Sequence, residues 1–440
     1  MTGNMNKSKS YDAIIIGAGI IGTATSLGLA RKGWRVLNID SLPASGYGST
    51  SGSCAIIRPY YSTIDGSAIA YESHFYWKDW ENFIDAKDER GLIRYNDCGS
   101  LVIKTKQNNY LKNILKIMDE LNVPYEHYDA DQIVARLPIM NKQSYGPVKS
   151  ADDADFGMDN GKEIVGGVFF SHGGYINDPQ LATHNMQIAA EKNGSKFLFN
   201  KSVTAIHRQH NQVTGVSLDD GQLLQAEVVL NAAGPHSYKI NQLAGVVEGM
   251  NIGTRALRHE VAHVPSPTGY DYENEGCIFS DSDVGAYMRP EQGNFFLIGS
   301  EDPPCDKRQW VDPDNFDHNF TEQWRTQVMR AGQRISSLAI PSTTKGVVEL
   351  YDVTDDWIPI YDKSDLPGYY MAIGTSGNQF KNAPIVGEMM ADLISASESG
   401  QNHDQEPLSF HLKHIDRTVS LGFYSRLREV NQASSFSVLG

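Results

Sequence analysis

Cysteine is scarce in this chain, with four in 440 residues: Cys54, Cys98, Cys277 and Cys305. They are scattered, without a C-x-x-C pair or metal-ligand spacing, which points to a reducing compartment and leaves disulfides and a structural metal out of the fold's foundation. Positive charge is also short. Lys and Arg number 38 against 53 Asp and Glu, a formal net charge of −15, which argues against nucleic acid or an anionic membrane as the main partner. Any anionic ligand must then be held by local cations. No apolar run approaches the roughly 18 residues of a membrane span, and the N-terminal MTGNMNKSKS is polar, with no apolar signal core. The expectation is a soluble, cytoplasmic protein. Its length implies two or three domains and enough buried volume for a large cofactor.

What is present begins with Tyr11 to Asp40, one strand, turn, helix and strand in succession. Tyr11 to Ile16 is apolar and mostly β-branched, as suits a central parallel strand buried on both faces. Gly17, Gly19 and Gly22 follow as G-x-G-x-x-G and open a helix running to Lys32. The first glycine permits the tight turn, the second lets backbone approach a pyrophosphate, and the third lets helix pack close on strand. Free N–H groups at the helix's positive end suit phosphate. The second strand ends at Asp40, where a carboxylate can accept ribose hydroxyls and disfavours the 2′-phosphate of NADP. On its own the motif leaves FAD and NAD both open.

The loop SLPASGYGSTSGSC follows, dense in Gly and Ser, where a cofactor's pyrophosphate and ring would pass, and leads into Ile56-Ile57-Arg58-Pro59-Tyr60-Tyr61. Ser73 to Ile84 reads as an amphipathic helix whose aromatics belong to the core, and Asn109 to Leu121 as another. Asp129 and Gln132 are spaced as a capping box, and Asp178-Pro179 as an N-cap followed by an N1 proline. Phe169 to Asn177 is expected to return to the cofactor domain. Strands are expected over Ser195 to Gln209, Gln212 to Leu218 and Leu223 to Leu230. The last runs into Asn231-Ala232-Ala233-Gly234-Pro235, small residues that permit close approach to a nucleotide. Ala286 to Pro290 and Gly293 to Gly299 look like adjacent strands of a second sheet. Val347 to Asp362 and Gly368 to Ile373 are expected to rejoin the dinucleotide sheet, and Ser420 to Val430 to form a helix. At Gly374-Thr375-Ser376-Gly377-Asn378-Gln379-Phe380-Lys381 another glycine turn aims a helix N-terminus and Lys381 at something anionic.

The order of GAGIIG, the loop into IIR, GGVFFSHGGYINDPQL, VVLNAAGPHS, GAYMRPEQGNFFLIGS and GTSGNQFKNAPIVGEMMADLI resembles the D-amino-acid oxidase/sarcosine oxidase family of FAD-dependent amine oxidoreductases. Within it the chain looks closest to sarcosine oxidase and its β-subunit-like and dimethylglycine dehydrogenase-like members. The resemblance covers Gly17 to about Pro407. It implies an α/β protein with a discontinuous Rossmann-like FAD-binding domain (1–95, 155–248 and 340–405). A substrate domain on a mostly antiparallel sheet (96–154 and 249–339) and a tail (406–440) complete it. The cofactor-binding set it implies is Gly17, Gly19, Ile20, Ile21, Gly22, Asp40, Ser41, Ser49, Thr50, Ser51, Val203, Ala232, Ala233, Gly234, Gly374, Ser376, Gly377, Asn378, Gln379 and Lys381. Covalently flavinylated members carry a Cys or a His where this chain has Glu349 or Gly52, so FAD is expected to be non-covalent.

Arg58 and Lys381 match the positions that bind the substrate carboxylate in this family, and an arginine fork suits that group. Tyr60, Tyr61 and Tyr287 are candidate pocket walls. Arg289 is a candidate third substrate cation or a structural partner. Leu297 stands where monomeric sarcosine oxidases have an oxygen-activating lysine, and Glu301 where they have a catalytic histidine, which tilts the reading from oxidase toward dehydrogenase. The catalytic candidates are therefore Arg58, Lys381, Tyr287 and Glu301. The reaction implied removes hydride from a carbon beside nitrogen in a secondary or N-methyl amino acid to flavin N5, giving an imine that hydrolyses, with O2 or another acceptor regenerating the flavin. The alternatives are a primary D- or cyclic amino acid, a 2-hydroxy acid, an NAD-dependent dehydrogenase, or a flavin-bound subunit without activity of its own.

Overall fold

A computed structural model describes residues 10–438, so the polar stretch at 1–9 lies outside the described residues. The first sheet has eight strands, in the order Val203–Gln209, Gln212–Leu218, Leu223–Asn231, Ser10–Ile16, Val36–Ile39 and Lys196–Leu198, with Tyr369–Ile373 and Ile360–Lys363 joined beside the end of Leu223–Asn231. Its centre is parallel: Ser10–Ile16 lies between Leu223–Asn231 and Val36–Ile39. Ala13, Ile14 and Ile15 are fully buried, as the continuous apolar run requires. The helix Ile20–Arg31 covers this sheet and is itself covered by Pro179–Lys192 and Ala383–Glu398. That sandwiching explains why Ile20 to Ala30 is buried on every side rather than amphipathic.

The helix crossing is unusually close. A Cβ on Gly28 would stand 2.4 Å from the carbonyl oxygen of Gly387, and one on Gly387 would stand 2.4 Å from that of Ala24. Backbone meets backbone, which fixes Ala383–Glu398 directly against Ile20–Arg31.

The second sheet is mostly antiparallel and has nine strands. Gln309–Trp310, Thr254–Pro265, Phe295–Ser300, Ala286–Glu291, Ile278–Asp281, Ser100–Ile103, Gly167–Phe170 and Glu126–Tyr128 follow one another, and Gly346–Thr354 pairs with Thr254–Pro265. The helix Glu322–Arg334 lies on one face through Trp324, Val328 and Ala331, against Phe279, Met288 and Phe296. Alternation then turns Tyr287, Arg289, Leu297, Gly299 and Glu301 to the other face.

Several expectations are corrected. Gly346–Thr354 belongs to the second sheet, and only Ile360–Lys363 and Tyr369–Ile373 reach the first; its mixed polar pattern suits an antiparallel strand, not a doubly buried one. Gly167–Phe170 likewise pairs with Ser100–Ile103. The aromatic helix begins earlier, at Ile64, and breaks at Asp79 into Ile64–Lys78 and Trp80–Ile84. Asn109, Tyr110 and Leu111 have positive φ, so the α-helix there starts only at Lys112. In place of a helix over Ser420 to Val430 stand the strand Arg417–Ser420, one short helical turn at Leu421–Tyr424 and irregular chain with a turn at Arg426 and Leu427. Among the described residues no helix is long and apolar enough to cross a membrane.

The glycine crossing predicts opposite outcomes for two alanine substitutions, both read as thermal midpoints. Gly387→Ala is expected to destabilise by about 1–3 kcal/mol, the usual range for overpacking. Gly332→Ala, in a helix with nothing within 4 Å of the added carbon, is expected to stabilise by about 0.5–1 kcal/mol. Equal midpoints for the two would show that the crossing is not tight.

Candidate active site

At the end of the first strand Gly17 has φ +111°, and a Cβ there would stand 2.3 Å from the carbonyl oxygen of Ala232. Gly22 packs on the carbonyl of Gly17, and Gly19 on Thr50 Oγ1. Asp40 braces this turn. Its Oδ2 accepts the Ala18 amide at 2.7 Å and its Oδ1 the Leu42 amide at 2.9 Å. Burial raises its carboxyl above the usual range, and these amides pull it back. Lone pairs beyond the two amides suit ribose hydroxyls. Ile20 and Ile21 bury their side chains, and the Ile20 amide donates to Thr50 Oγ1 at 3.2 Å. The Ser/Gly loop is thereby tied to the helix N-terminus. Ser51 closes that loop on the Gly48 carbonyl at 2.8 Å, Ser49 stands beside Gly234, and the Ala233 amide donates to Asn231 Oδ1 at 3.1 Å. Ser41 is exposed at the loop's start, and Val203 opens a strand paired with Gln212–Leu218. A dinucleotide fits here: the turn is backbone only, a helix N-terminus faces it, and a carboxylate stands at the ribose end.

The second glycine turn is held by Asp352, a residue without a signal in the sequence pattern. Its Oδ2 accepts the Gly374 amide at 2.6 Å and its main-chain oxygen the Ser376 amide at 2.7 Å. Burial pushes the Asp352 carboxyl up to about 7, against the hydrogen bonds of Gly374, Ser237 and Thr254. Gly374 and Gly377 have positive φ, and a Cβ on Gly377 would stand 2.6 Å from the Tyr351 ring. Gly52 packs on Glu349, so the two positions that the resemblance marked for covalent attachment lie side by side.

Beyond the turn the predicted residues converge. Lys381 Nζ donates to Tyr61 Oη at 2.9 Å and to the Asn378 carbonyl at 2.5 Å, and Tyr61 Oη donates to that same carbonyl at 2.5 Å. The Arg58 Cζ lies 4.7 Å from the Tyr61 ring centroid and 4.8 Å from that of Tyr60, and Lys381 Nζ lies 4.8 Å from the Tyr61 centroid. Burial, with the Arg58 charge second, holds the Lys381 ammonium well below its usual range. Gln379 links Asn378 Oδ1, at 2.6 Å, to the Tyr361 hydroxyl, at 3.0 Å. Glu301 accepts a hydrogen bond from Ser280, and burial pushes its carboxyl up to about 7 while the Arg58 charge acts in the opposite sense. Tyr60 Oη lies 3.1 Å from Ser100 Oγ.

Arg58, Tyr60, Tyr61, Lys381 and Glu301 thus form one buried group. Tyr287 has other partners, its hydroxyl 3.4 Å from Cys54 Sγ and its ring packed on Gly299. Arg289 is engaged elsewhere. It bonds Glu291 at 2.8 Å and the Pro290 carbonyl at 2.5 Å, and its Cζ lies 4.4 Å from the Tyr175 ring centroid. Sequence reasoning missed Ser280, Tyr351 and Cys54; of these only Cys54, four residues before Arg58, had a positional signal.

A family model for FAD dependent oxidoreductases matches residues 12–393. The chain belongs to that family. This FAD-dependent oxidoreductase is 23% identical over 427 residues to sarcosine oxidase subunit beta of Rhodobacter capsulatus, a match covering 94% of this chain and 92% of the relative. Among solved structures, L-proline dehydrogenase from P. horikoshii shares the fold at a TM-score of 0.72 and 21% identity, covering 89% of this chain and 94% of that one. Glycine oxidase from Geobacillus kaustophilus does so at 0.73 and 16% identity, covering 96% and 100%. The Rossmann-type α/β fold stands, and FAD is the dinucleotide of the cradle.

Asp352 yields a pH test. A carboxyl raised in the folded state stabilises fully below its unfolded value, about 3.9, and that contribution is lost as pH climbs toward about 7. Asp352→Asn keeps an acceptor for the Gly374 amide but cannot ionise. Its apoprotein is therefore expected to melt with a flatter pH dependence between 4 and 7, and higher than the parent at pH 8. Parallel pH curves for the two proteins would refute this.

Proposed function

We propose that this oxidoreductase dehydrogenates the C–N bond of a small secondary amino acid, N-methylated or cyclic, and releases an imine that water hydrolyses. The observation that carries the reading is the pair of buried cations, Arg58 and Lys381, on one tyrosine ring with the Glu301 carboxyl in the same group. Sarcosine, named in the relative matched over 92% of its length, is a secondary amino acid, which supports this substrate class. Bound FAD supplies the two-electron acceptor. Arg58 takes the substrate carboxylate as a fork, and Lys381 recovers its proton as the anion arrives. Tyr60 and Tyr61 wall the pocket, and ionised Glu301 accepts the ammonium proton, leaving the nitrogen lone pair free. O2 or another acceptor closes the cycle. Across the second sheet Leu297 lies opposite Arg289, and the dehydrogenase reading rests on the apolar side chain there.

Arg58→Ala is expected to raise KM for a carboxylated amine about a hundredfold, at ~2–3 kcal/mol for a lost charged pair. Steady-state kinetics with sarcosine and proline would show it, and an unchanged KM would remove Arg58 from the site. For Glu301 the active form is the carboxylate, so kcat/KM is expected to rise as pH passes through about 7. Glu301→Gln should abolish that limb and lower kcat/KM at pH 8 by about a hundredfold. A limb that survives the substitution belongs to another group.

A further inference from the structure

After the last paired strand, Arg417–Ser420, the chain runs back over the molecule as a strap with two kinds of hold. Upstream it is clamped by ion pairs. Arg426 reaches Asp362 at 3.1 Å and Asp404 at 2.8 Å, Arg428 reaches Asp356 at 2.8 Å, and the Asn431 amide bonds Asp356 Oδ2 at 3.3 Å. Beyond Asn431 no ion pair follows among the described residues. The exposed Arg308 donates to the Phe436 carbonyl, its Cζ 4.8 Å from the Trp357 ring centroid. Val438 buries its side chain against Leu257, Val353 and Trp357. Its carbonyl accepts from Arg58 Nη2 at 2.9 Å, while Arg58 Nη1 donates to the Tyr60 carbonyl. The strap therefore reaches the very guanidinium placed at the centre of the site.

We propose that residues 432–438 are an internal latch, seated on Arg58 when the site is empty and displaced by the substrate's carboxylate, so that a carboxylate is the condition of entry. The inference rests on the reading of Arg58 as the carboxylate anchor. A backbone carbonyl is a neutral acceptor, whereas a carboxylate forms charge-assisted, bidentate bonds about twice as strong, so exchange of one for the other at Nη2 favours the anion. The break in ion pairing after Asn431 sets the hinge: upstream pairs keep the strap attached while the distal residues leave. An amine without a carboxylate gains nothing at Arg58 and leaves the latch seated. With the latch down, Arg58 keeps a partner that would otherwise be missing from a buried charged donor.

The test titrates acetate, the smallest carboxylate, into three FAD-loaded proteins: the full chain, a truncation after Ala433, and Arg308→Ala, which loosens the strap without touching the site. Binding is read from the flavin spectrum, and hydrogen exchange is followed over 432–438. The truncation is expected to bind acetate about tenfold more tightly, the penalty of a competing closed state being removed. Arg308→Ala is expected to shift the same way by a smaller factor, and acetate to speed exchange of 432–438 in the full chain. If acetate binds all three alike, or the truncation more weakly, the latch is overturned while the carboxylate site stands. If acetate binds none of them, the carboxylate reading of Arg58 falls and the latch with it.

Discussion

Two buried cations sharing one tyrosine ring are the constraint around which the rest of the structure is arranged. Arg58 cannot give up its proton, and at short range in a poorly screened interior two positive charges repel strongly. Lys381 yields, its ammonium held well below the usual range by burial and by Arg58. The ring faces of Tyr60 and Tyr61 and the carbonyls of Asn378, Tyr60 and Val438 soften the cost. The acid of the group, Glu301, is raised by burial to about 7 and so is only partly ionised near neutral pH. Under the proposed function a substrate carboxylate supplies the remaining negative charge, in a molecule whose net charge is −15.

Holding such a group in place requires the two sheets to be locked together, and one strand does much of this. Gly346–Thr354 is hydrogen-bonded along its length to Thr254–Pro265 in the second sheet. Near its end, Asp352 grips the amides of Gly374 and Ser376, which follow a strand of the first. Tyr351, the preceding residue, packs on Gly377 and stacks on His259 at 4.3 Å between centroids. The turn that carries Lys381 is thus anchored to the sheet that carries Tyr287 and Glu301. From the other side, the Trp77 indole donates to the Lys381 carbonyl at 2.6 Å. The helix crossing at Gly28 and Gly387 then holds the helix that follows this turn against the helix that follows the first glycine turn.

Much of this was legible from the residues because the signals are local. A glycine turn between a β-branched run and a helix has few other uses, and Arg58 and Lys381 each stand in a short motif whose physical role is clear. Asp129 and Asp178 cap their helices as their spacing implied. The misreadings have a common cause in long-range partners. Val347 to Asp362 reads as part of the first sheet, yet Gly346–Thr354 finds its partner in Thr254–Pro265, far earlier in sequence. Residues 420–430 carry helix-compatible residues, but Asp356, Asp362 and Asp404 hold Arg426 and Arg428 in an irregular path, and tertiary pairing overrides local propensity. Asp352 has no pattern to mark it, since a buried carboxyl serving backbone amides looks in sequence like any other aspartate. For Arg289 the residues leave a substrate cation and a structural partner both open, and its side chain pairs with Glu291 and lies over Tyr175.

Under the proposed function Glu301 bears on which acid is turned over. A 2-hydroxy acid shares the carboxylate of an amino acid, so Arg58 and Lys381 alone would not separate the two. The role proposed for Glu301 would. Burial raises its carboxyl to about 7, so both protonation states are within reach near neutral pH, and the ionised form acts by accepting a proton from the substrate's ammonium. A hydroxy acid brings a hydroxyl in place of that ammonium, a far weaker acid that gives a carboxylate no proton at such a pH. The buried carboxyl would then discriminate at the chemical step, through the proton that an amino acid can yield and a hydroxy acid cannot.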